Sequence, residues 1–149
     1  MDKNRGEATH LKREYGRWYW WVLCAAWLAV IFGHSLMPAT VSHSESVGLL
    51  DRLIRLFPFL TLHLLRKLAH FGEFAVLGLL LAQCLRVRIA RPLLAGLLCA
   101  MGDETIQLFV AGRSGEIRDV WIDFAGVAAA VVLVYFLRFL RGRKAKPSE

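Results

Sequence analysis

Residues 18–36 read WYWWVLCAAWLAVIFGHSL and contain no aspartate, glutamate, lysine or arginine. A helix of about 20 such residues is long enough to cross a hydrocarbon core about 30 Å thick. Three more mainly apolar stretches of similar length follow, at residues 68–85, 92–110 and 120–140. The sequence therefore predicts an all-α integral membrane protein, a four-helix bundle in which every helix spans the bilayer.

The composition excludes several other classes of protein. The 149 residues are 56% hydrophobic before the 12 glycines are counted, whereas a soluble domain is roughly 45–50% apolar with glycine included. Disorder, which requires low hydrophobicity, is excluded. The three cysteines are too few for a disulfide framework, and no pair has zinc-finger spacing. A soluble bundle is the remaining alternative, because the charge-free runs in the last three stretches are only 11–14 residues long. Their outer faces, however, would be almost wholly apolar.

The basic residues predict the orientation. Thirteen lysines and arginines lie near the two ends of the chain and between the second and third stretches, against six in the other two connections. The positive-inside rule then places both termini in the cytoplasm. Residues 1–17 are predicted to be a basic cytoplasmic segment, although a signal peptide is an alternative. Residues 18–140 form one four-span domain, and 141–149 form a basic cytoplasmic tail that contacts anionic lipid rather than nucleic acid.

The first external connection, residues 38–67, contains an amphipathic segment. Its apolar residues share one helical face, and charged residues fill the other. The apolar set is Leu49, Leu50, Leu53, Ile54 and Phe57, and the charged set is Asp51, Arg52 and Arg55. This pattern predicts a short helix that lies in the outer membrane interface.

Ionisable residues concentrate at the external end of every predicted span. Glu73 and Asp123 would lie about 5–8 Å below the outer boundary, and Asp103 about 10 Å below it. Because a charge in the bilayer costs ~2.5–3.5 kcal/mol or more, one shared cluster is favoured over four lipid-facing sites. Lys67, His70 and Glu73, at offsets of three, are expected on one face of the second span. The candidate ligand-binding residues are Ser35, Lys67, His70, Glu73, Asp103, Glu104, Gln107, Arg113, Arg118, Asp119 and Asp123.

Three segments carry a resemblance to a known family: RKLAHFGEFAVLG (66–78), DETIQLFVAGRSGEIRDV (103–120) and DVWIDFAGVAAA (119–130). Together they resemble the VanZ-like family of small bacterial integral membrane proteins. That family has Lys-x-x-His-Phe-x-x-Tyr on one span, Asp-Glu-x-x-Gln-x-Phe-x-x-x-Arg ending the next, and Asp-x-x-x-Asn-x-x-Gly opening the last. The matching residues are Lys67, His70, Phe71, Asp103, Glu104, Gln107, Phe109, Arg113, Asp119 and Gly126. Phe74 replaces the tyrosine and Asp123 replaces the asparagine.

The resemblance implies a multi-pass protein of the bacterial cell (inner) membrane. It also implies a link to the cell envelope, because the family's founding member is associated with low-level resistance to the glycopeptide teicoplanin. We expect the polar cluster to bind an anionic or lipid-linked envelope ligand, such as a peptidoglycan-related amphiphile. One alternative is a membrane enzyme that uses His70, Asp103 and Glu104 on such a lipid. A cation- or proton-coupled transporter is less favoured, because only Gln83 is polar in the cytoplasmic half. The oligomeric state is not predicted.

No cofactor is predicted, although a divalent cation is an alternative occupant of the cluster. His70 and Glu73 would face Asp103 and Glu104, and His-x-x-Glu pairs bind metals in helical bundles. The competing interpretation is an ion-pair network in which basic neighbours neutralise the acids. Those neighbours are Arg66, Lys67, Arg113 and Arg118. The two arginines, on a glycine-containing loop, could equally bind a phosphate or a carboxylate.

Overall fold

The computed structural model describes residues 18–41, 44, 47–48, 51, 57–58, 61–86, 88–113 and 115–144. In this part of the chain the secondary structure is helical and contains no strand, which confirms the all-α prediction. Four long helices are present: α1 (Trp18–Ser35), α2 (Leu62–Cys84), α3 (Ala90–Gln107) and α4 (Ile117–Lys144). Each contains most of one predicted span.

Two helix boundaries differ from the apolar stretches. Helix α2 begins six residues before the predicted span, because the Thr61 hydroxyl accepts a hydrogen bond from the Leu64 amide and caps the helix. Helix α4 continues to Lys144, so the first residues of the predicted tail are helical. The basic segment 1–17 and residues 145–149 lie outside the described residues. The same is true of most of the predicted interfacial helix, of which only Asp51 and Phe57 are described.

Length and composition single out two of the described helices as candidate membrane spans. These are α1 over its whole length and residues Ile117–Arg143 of α4. Only 17% of the α1 window and 33% of the best α4 window are buried inside the protein. Both helices therefore expose most of their apolar side chains at the surface.

Helices α2 and α4 pack with their backbones almost in contact. A Cβ atom at Gly126 would collide with the carbonyl oxygen of Phe71, and one at Gly78 would lie 2.7 Å from the carbonyl oxygen of Val127. Small residues permit such an approach between apolar helices, because no side chain separates the two backbones. The side chain of Val127 in turn fills the space beside Gly96 of α3. The close approach thus holds three helices together.

The core lies around this contact. Its largest fully buried apolar side chains come from three helices and are Ile31, Phe74, Leu77, Val127 and Val131. At one end of the core, α4 also binds the last turn of α2. The Tyr135 hydroxyl donates to the carbonyl of Leu85 at 3.2 Å, and the Arg138 guanidinium donates to the carbonyl of Ala82 at 2.9 Å. These bonds satisfy carbonyl groups that the end of a helix leaves without partners.

We expect Gly126→Ala to destabilise the fold by about 1–3 kcal/mol, because the added methyl group must push α2 and α4 apart. This loss would exceed the gain of ~1 kcal/mol that alanine brings to a helix interior. Gly33→Ala is the matched control, because a Cβ there meets no atom within 4 Å. Thermal unfolding followed by circular dichroism measures both. Equal unfolding temperatures for the two variants would show that the α2–α4 contact is not tight.

Candidate functional site

The polar side chains meet at one end of the bundle, where α1 and α3 end and α2 and α4 begin. A cavity of about 170 Å³ opens there. Its lining residues are Ala39, His63, Arg66, Lys67, His70, Gln107, Gly112, Arg113, Glu116, Asp119, Ile122 and Asp123. Six of the eleven predicted site residues line this cavity, and the other five lie behind it or outside it.

The first turns of α2 and α4 face each other across the cavity. Lys67 Nζ lies 3.4 Å from Asp119 Oδ1, and one turn further along, His70 Nδ1 lies 3.5 Å from Asp123 Oδ1. The two pairs differ in exposure. The Lys67 and Asp119 side chains are about one-third exposed, whereas Asp123 is completely buried. The lining of the cavity therefore includes a partly exposed ion pair and, at what we call the base of the cavity, a completely buried carboxylate.

Asp103 and Glu104 lie behind the cavity and are bound by uncharged donors. The Ser35 hydroxyl donates to Asp103 Oδ1 at 2.5 Å. Gln107 Nε2 donates to Asp103 Oδ2 at 2.9 Å and to Glu104 Oε1 at 3.3 Å. The backbone amide of Glu116 donates to Glu104 Oε2 at 2.9 Å. All four carboxylate oxygens thus accept a hydrogen bond, and these contacts join α1, α3 and the start of α4.

Among the described residues, no lysine or arginine nitrogen lies within 4 Å of the Asp103 or Glu104 carboxylate, so the alternative of direct ion pairs does not apply to these two acids. Arg113 instead donates from Nε to the carbonyl of Met37 and from a terminal nitrogen to the carbonyl of His34, each at 3.0 Å. It therefore binds the C-terminal end of α1, where carbonyl groups lack helical partners. Gly112 precedes it with a φ of 77°, a left-handed conformation that favours glycine. Arg118 is exposed and does not line the cavity.

Glu73 faces α1 rather than the acids of α3. Its carboxylate lies 2.8 Å from His34 Nδ1, and its backbone carbonyl accepts a hydrogen bond from Trp27 Nε1. The prediction that it shares a face with Lys67 and His70 is wrong for a geometrical reason. Each offset of three residues falls about 60° short of a full helical turn, so Glu73 is about 120° away from Lys67.

The same geometry explains why two further residues line the cavity: His63, which was not predicted, and Arg66, which was expected only as a counterion. With Lys67 and His70, they are spaced i, i+3, i+4 and i+7, the pattern of a single helical face. This spacing is visible in the sequence, and it would have identified both. The backbone acceptors of Arg113 have no such signal, because a carbonyl group is present at every residue.

We expect Gln107→Leu to destabilise the protein by about 1–3 kcal/mol, because both acids lose their shared donor in a buried position. Thr105→Ala is the control on the same helix. Its hydroxyl is exposed and bonds only to the carbonyl of Met101 one turn earlier. Thermal unfolding of the purified variants measures the difference. If Gln107→Leu is as stable as Thr105→Ala, water can replace the amide at this position.

The comparison with known protein families gives one match. The family model described as VanZ/LLP1 matches residues 20–138. No curated protein and no solved structure gives a significant match. The matched region extends into all four helices and includes every residue of the polar end, from Ser35 to Asp123. The chain therefore belongs to the VanZ/LLP1 family.

Proposed function

We propose that the protein is a multi-pass protein of the bacterial cell membrane in which all four helices span the bilayer. The side chains that point away from the core support this. On α3, which is not one of the two candidate spans named above, Leu94, Leu98 and Met101 are 61%, 68% and 52% exposed. On α4, Val132 and Phe136 are each more than half exposed. A helix that faced water would carry polar residues at such positions, whereas lipid suits these side chains.

The proposed orientation has both termini in the cytoplasm and the cavity at the external end. Its support is the excess of basic residues at the opposite end, which is the end retained in the cytoplasm. Exposed tryptophans also lie near both ends of the bundle. Trp18 and Trp21 begin α1, and Trp121 lies in the first turns of α4. Tryptophan is enriched at both membrane interfaces, so these residues suit the two boundaries of the bilayer.

Thiol labelling tests this orientation. In a variant without the three native cysteines, a cysteine at Ser114 should react with a membrane-impermeant reagent added to intact cells. A cysteine at Ser148 should react only after lysis, because the terminus is cytoplasmic. The control is a cell that carries the cysteine-free protein alone. Labelling at position 148 in intact cells would place the cavity at the cytoplasmic end and overturn the proposal.

We further propose that the cavity binds the anionic headgroup of a lipid-linked or peptidoglycan-related envelope amphiphile. This proposal rests on two arginines that have no acidic partner among the described residues. Arg66 and Arg113 both line the cavity, and in the described part of the chain neither has a carboxylate oxygen within 4 Å. Arginine binds phosphate with several directed donors. Two guanidinium groups without acidic partners therefore suit a phosphate or pyrophosphate.

The charges around Arg113 support the same ligand. Burial lowers the pKa of its guanidinium and so does the neighbouring positive charge of Arg66, while Asp103, Glu104 and Glu73 act in the opposite direction. The two arginines therefore repel each other across the cavity. An anion placed between them would remove this repulsion. An apolar chain attached to the anion could lie against exposed apolar side chains of α2, such as Leu68.

Binding of a polyprenyl phosphate to the detergent-purified protein, followed by native mass spectrometry, tests this function. We expect the phosphate to bind and the corresponding polyprenyl alcohol, which lacks the charge, to bind at least ~10-fold more weakly. Arg66→Gln should remove a similar factor. The control is Arg91→Gln, an exposed arginine at the start of α3, at the other end of the bundle.

Equal binding of the phosphate and the alcohol would contradict a headgroup site. The link to glycopeptide resistance is tested with the same pair of variants in cells. If the cavity confers reduced susceptibility to teicoplanin, Arg66→Gln should abolish the effect at normal protein abundance, whereas Arg91→Gln should preserve it. If both variants keep the effect, the cavity is not responsible for that phenotype.

A further inference from the structure

We propose that His70, Asp103 and Asp123 form a binding site for a divalent metal ion at the base of the cavity. One possible ligand atom from each residue lies within 4.8 Å of the others. The three residues come from α2, α3 and α4 respectively, so the site exists only where these helices meet. It differs from the sequence-based set, because Glu73 is bound to His34 and does not take part.

The surroundings of the Asp123 carboxylate suit a bound cation. Its side chain is completely buried, it lines the cavity, and neither of its carboxylate oxygens has a hydrogen-bond partner among the described residues. His70 Nδ1, which faces it, also lacks one. A buried carboxylate without a donor or a cation is strongly destabilising, so buried charges are normally paired or bind a metal. Asp103 provides the contrast, because both of its oxygens accept hydrogen bonds.

The spacing of His70 and Asp123 suits a shared ion. His70 Nδ1 and Asp123 Oδ1 are 3.5 Å apart, beyond the normal range of a hydrogen bond. Metal–nitrogen and metal–oxygen bonds of about 2.1 Å at tetrahedral angles place neighbouring ligand atoms about 3.4 Å apart. An ion between His70 and Asp123 would therefore require little movement of either helix.

Two cationic side chains that line the cavity have other partners. Lys67 pairs with Asp119, and two nitrogens of Arg113 bind the carbonyl groups at the end of α1. Neither forms an ion pair with Asp123. This part of the protein thus brings together two carboxylates and one imidazole, a set of oxygen and nitrogen ligands that a divalent ion accepts. Mixed nitrogen and oxygen ligands favour a first-row ion such as Mn²⁺ or Zn²⁺ over Ca²⁺, which prefers oxygen alone.

Ser35 and Gln107 have a supporting role in this site. Each donates a hydrogen bond to one oxygen of Asp103 and so fixes the orientation of the carboxylate. Such partners of metal ligands typically contribute ~10–100-fold to metal affinity. Both are positioning residues, because they would act on the metal only through Asp103.

The test uses the full-length, detergent-purified protein, stripped with a chelator and titrated with Mn²⁺ in the absence of any lipid phosphate. We expect electron paramagnetic resonance to show one tightly bound Mn²⁺ per chain. Its spin-echo modulation should show coupling to one ¹⁴N nucleus, and this coupling should vanish in His70→Gln. Asp123→Asn should weaken binding by more than the ~10–100-fold expected for Ser35→Ala. Asp51→Asn, which removes an exposed carboxylate outside the cavity, is the control.

Each outcome decides the proposal. Absence of bound Mn²⁺ in the wild-type protein would overturn it, as would a bound ion without nitrogen coupling. Binding that survives both His70→Gln and Asp123→Asn would place the ion elsewhere. His70→Gln keeps a polar side chain at this position, so it remains informative if Asp123→Asn does not fold. Since no phosphate is present, the result is independent of whether the cavity binds an anionic lipid.

Discussion

The contact between the backbones of α2 and α4 at Gly126 determines the geometry of the polar end. Gly126 lies less than one turn after Asp123 and touches Phe71, the residue that follows His70. Because the two helices cannot be closer, the side chains one turn earlier face each other across a short distance. This distance allows Lys67 to reach Asp119 and brings His70 next to Asp123. A wider separation would admit water between these groups and weaken every electrostatic interaction there.

The sequence predicted the helices well, because long apolar runs leave few alternatives to a helical chain in a nonpolar environment. It also predicted which residues would be near one another, because depth along a helix follows directly from residue count. The sequence did not predict which of these side chains bond to one another. Whether Glu73 meets α1 or α3 depends on the rotation of α2 about its axis, which the packing of small residues sets. The partners of Arg113 were unpredictable for another reason, since they are carbonyl groups exposed by the path of the chain after Ser35.

The cavity combines groups of opposite charge that do not neutralise one another. Arg66 and Arg113 have no carboxylate oxygen within 4 Å in the described residues, while the carboxylate of Asp123 accepts no hydrogen bond there and has His70 Nδ1 3.5 Å away. A network with a purely structural role would be expected to pair such groups, as Lys67 and Asp119 are paired. Rigid helices instead hold them apart around an open space. This arrangement is the reason for interpreting the polar end as a site for bound ions or headgroups, and both proposals depend on it.

The hydrogen bonds from Gln107 to two acids of its own helix bear on the order in which the chain folds. The donor lies three and four residues after its acceptors, so α3 can satisfy Glu104 and Asp103 in part without any other helix. Ser35, the remaining donor to Asp103, is synthesised before α3. During N-to-C synthesis these acids can therefore acquire their donors before α4 leaves the ribosome. Asp123 lines the cavity only when α4 docks against α2, so the cavity is completed after α3 has formed its internal hydrogen bonds.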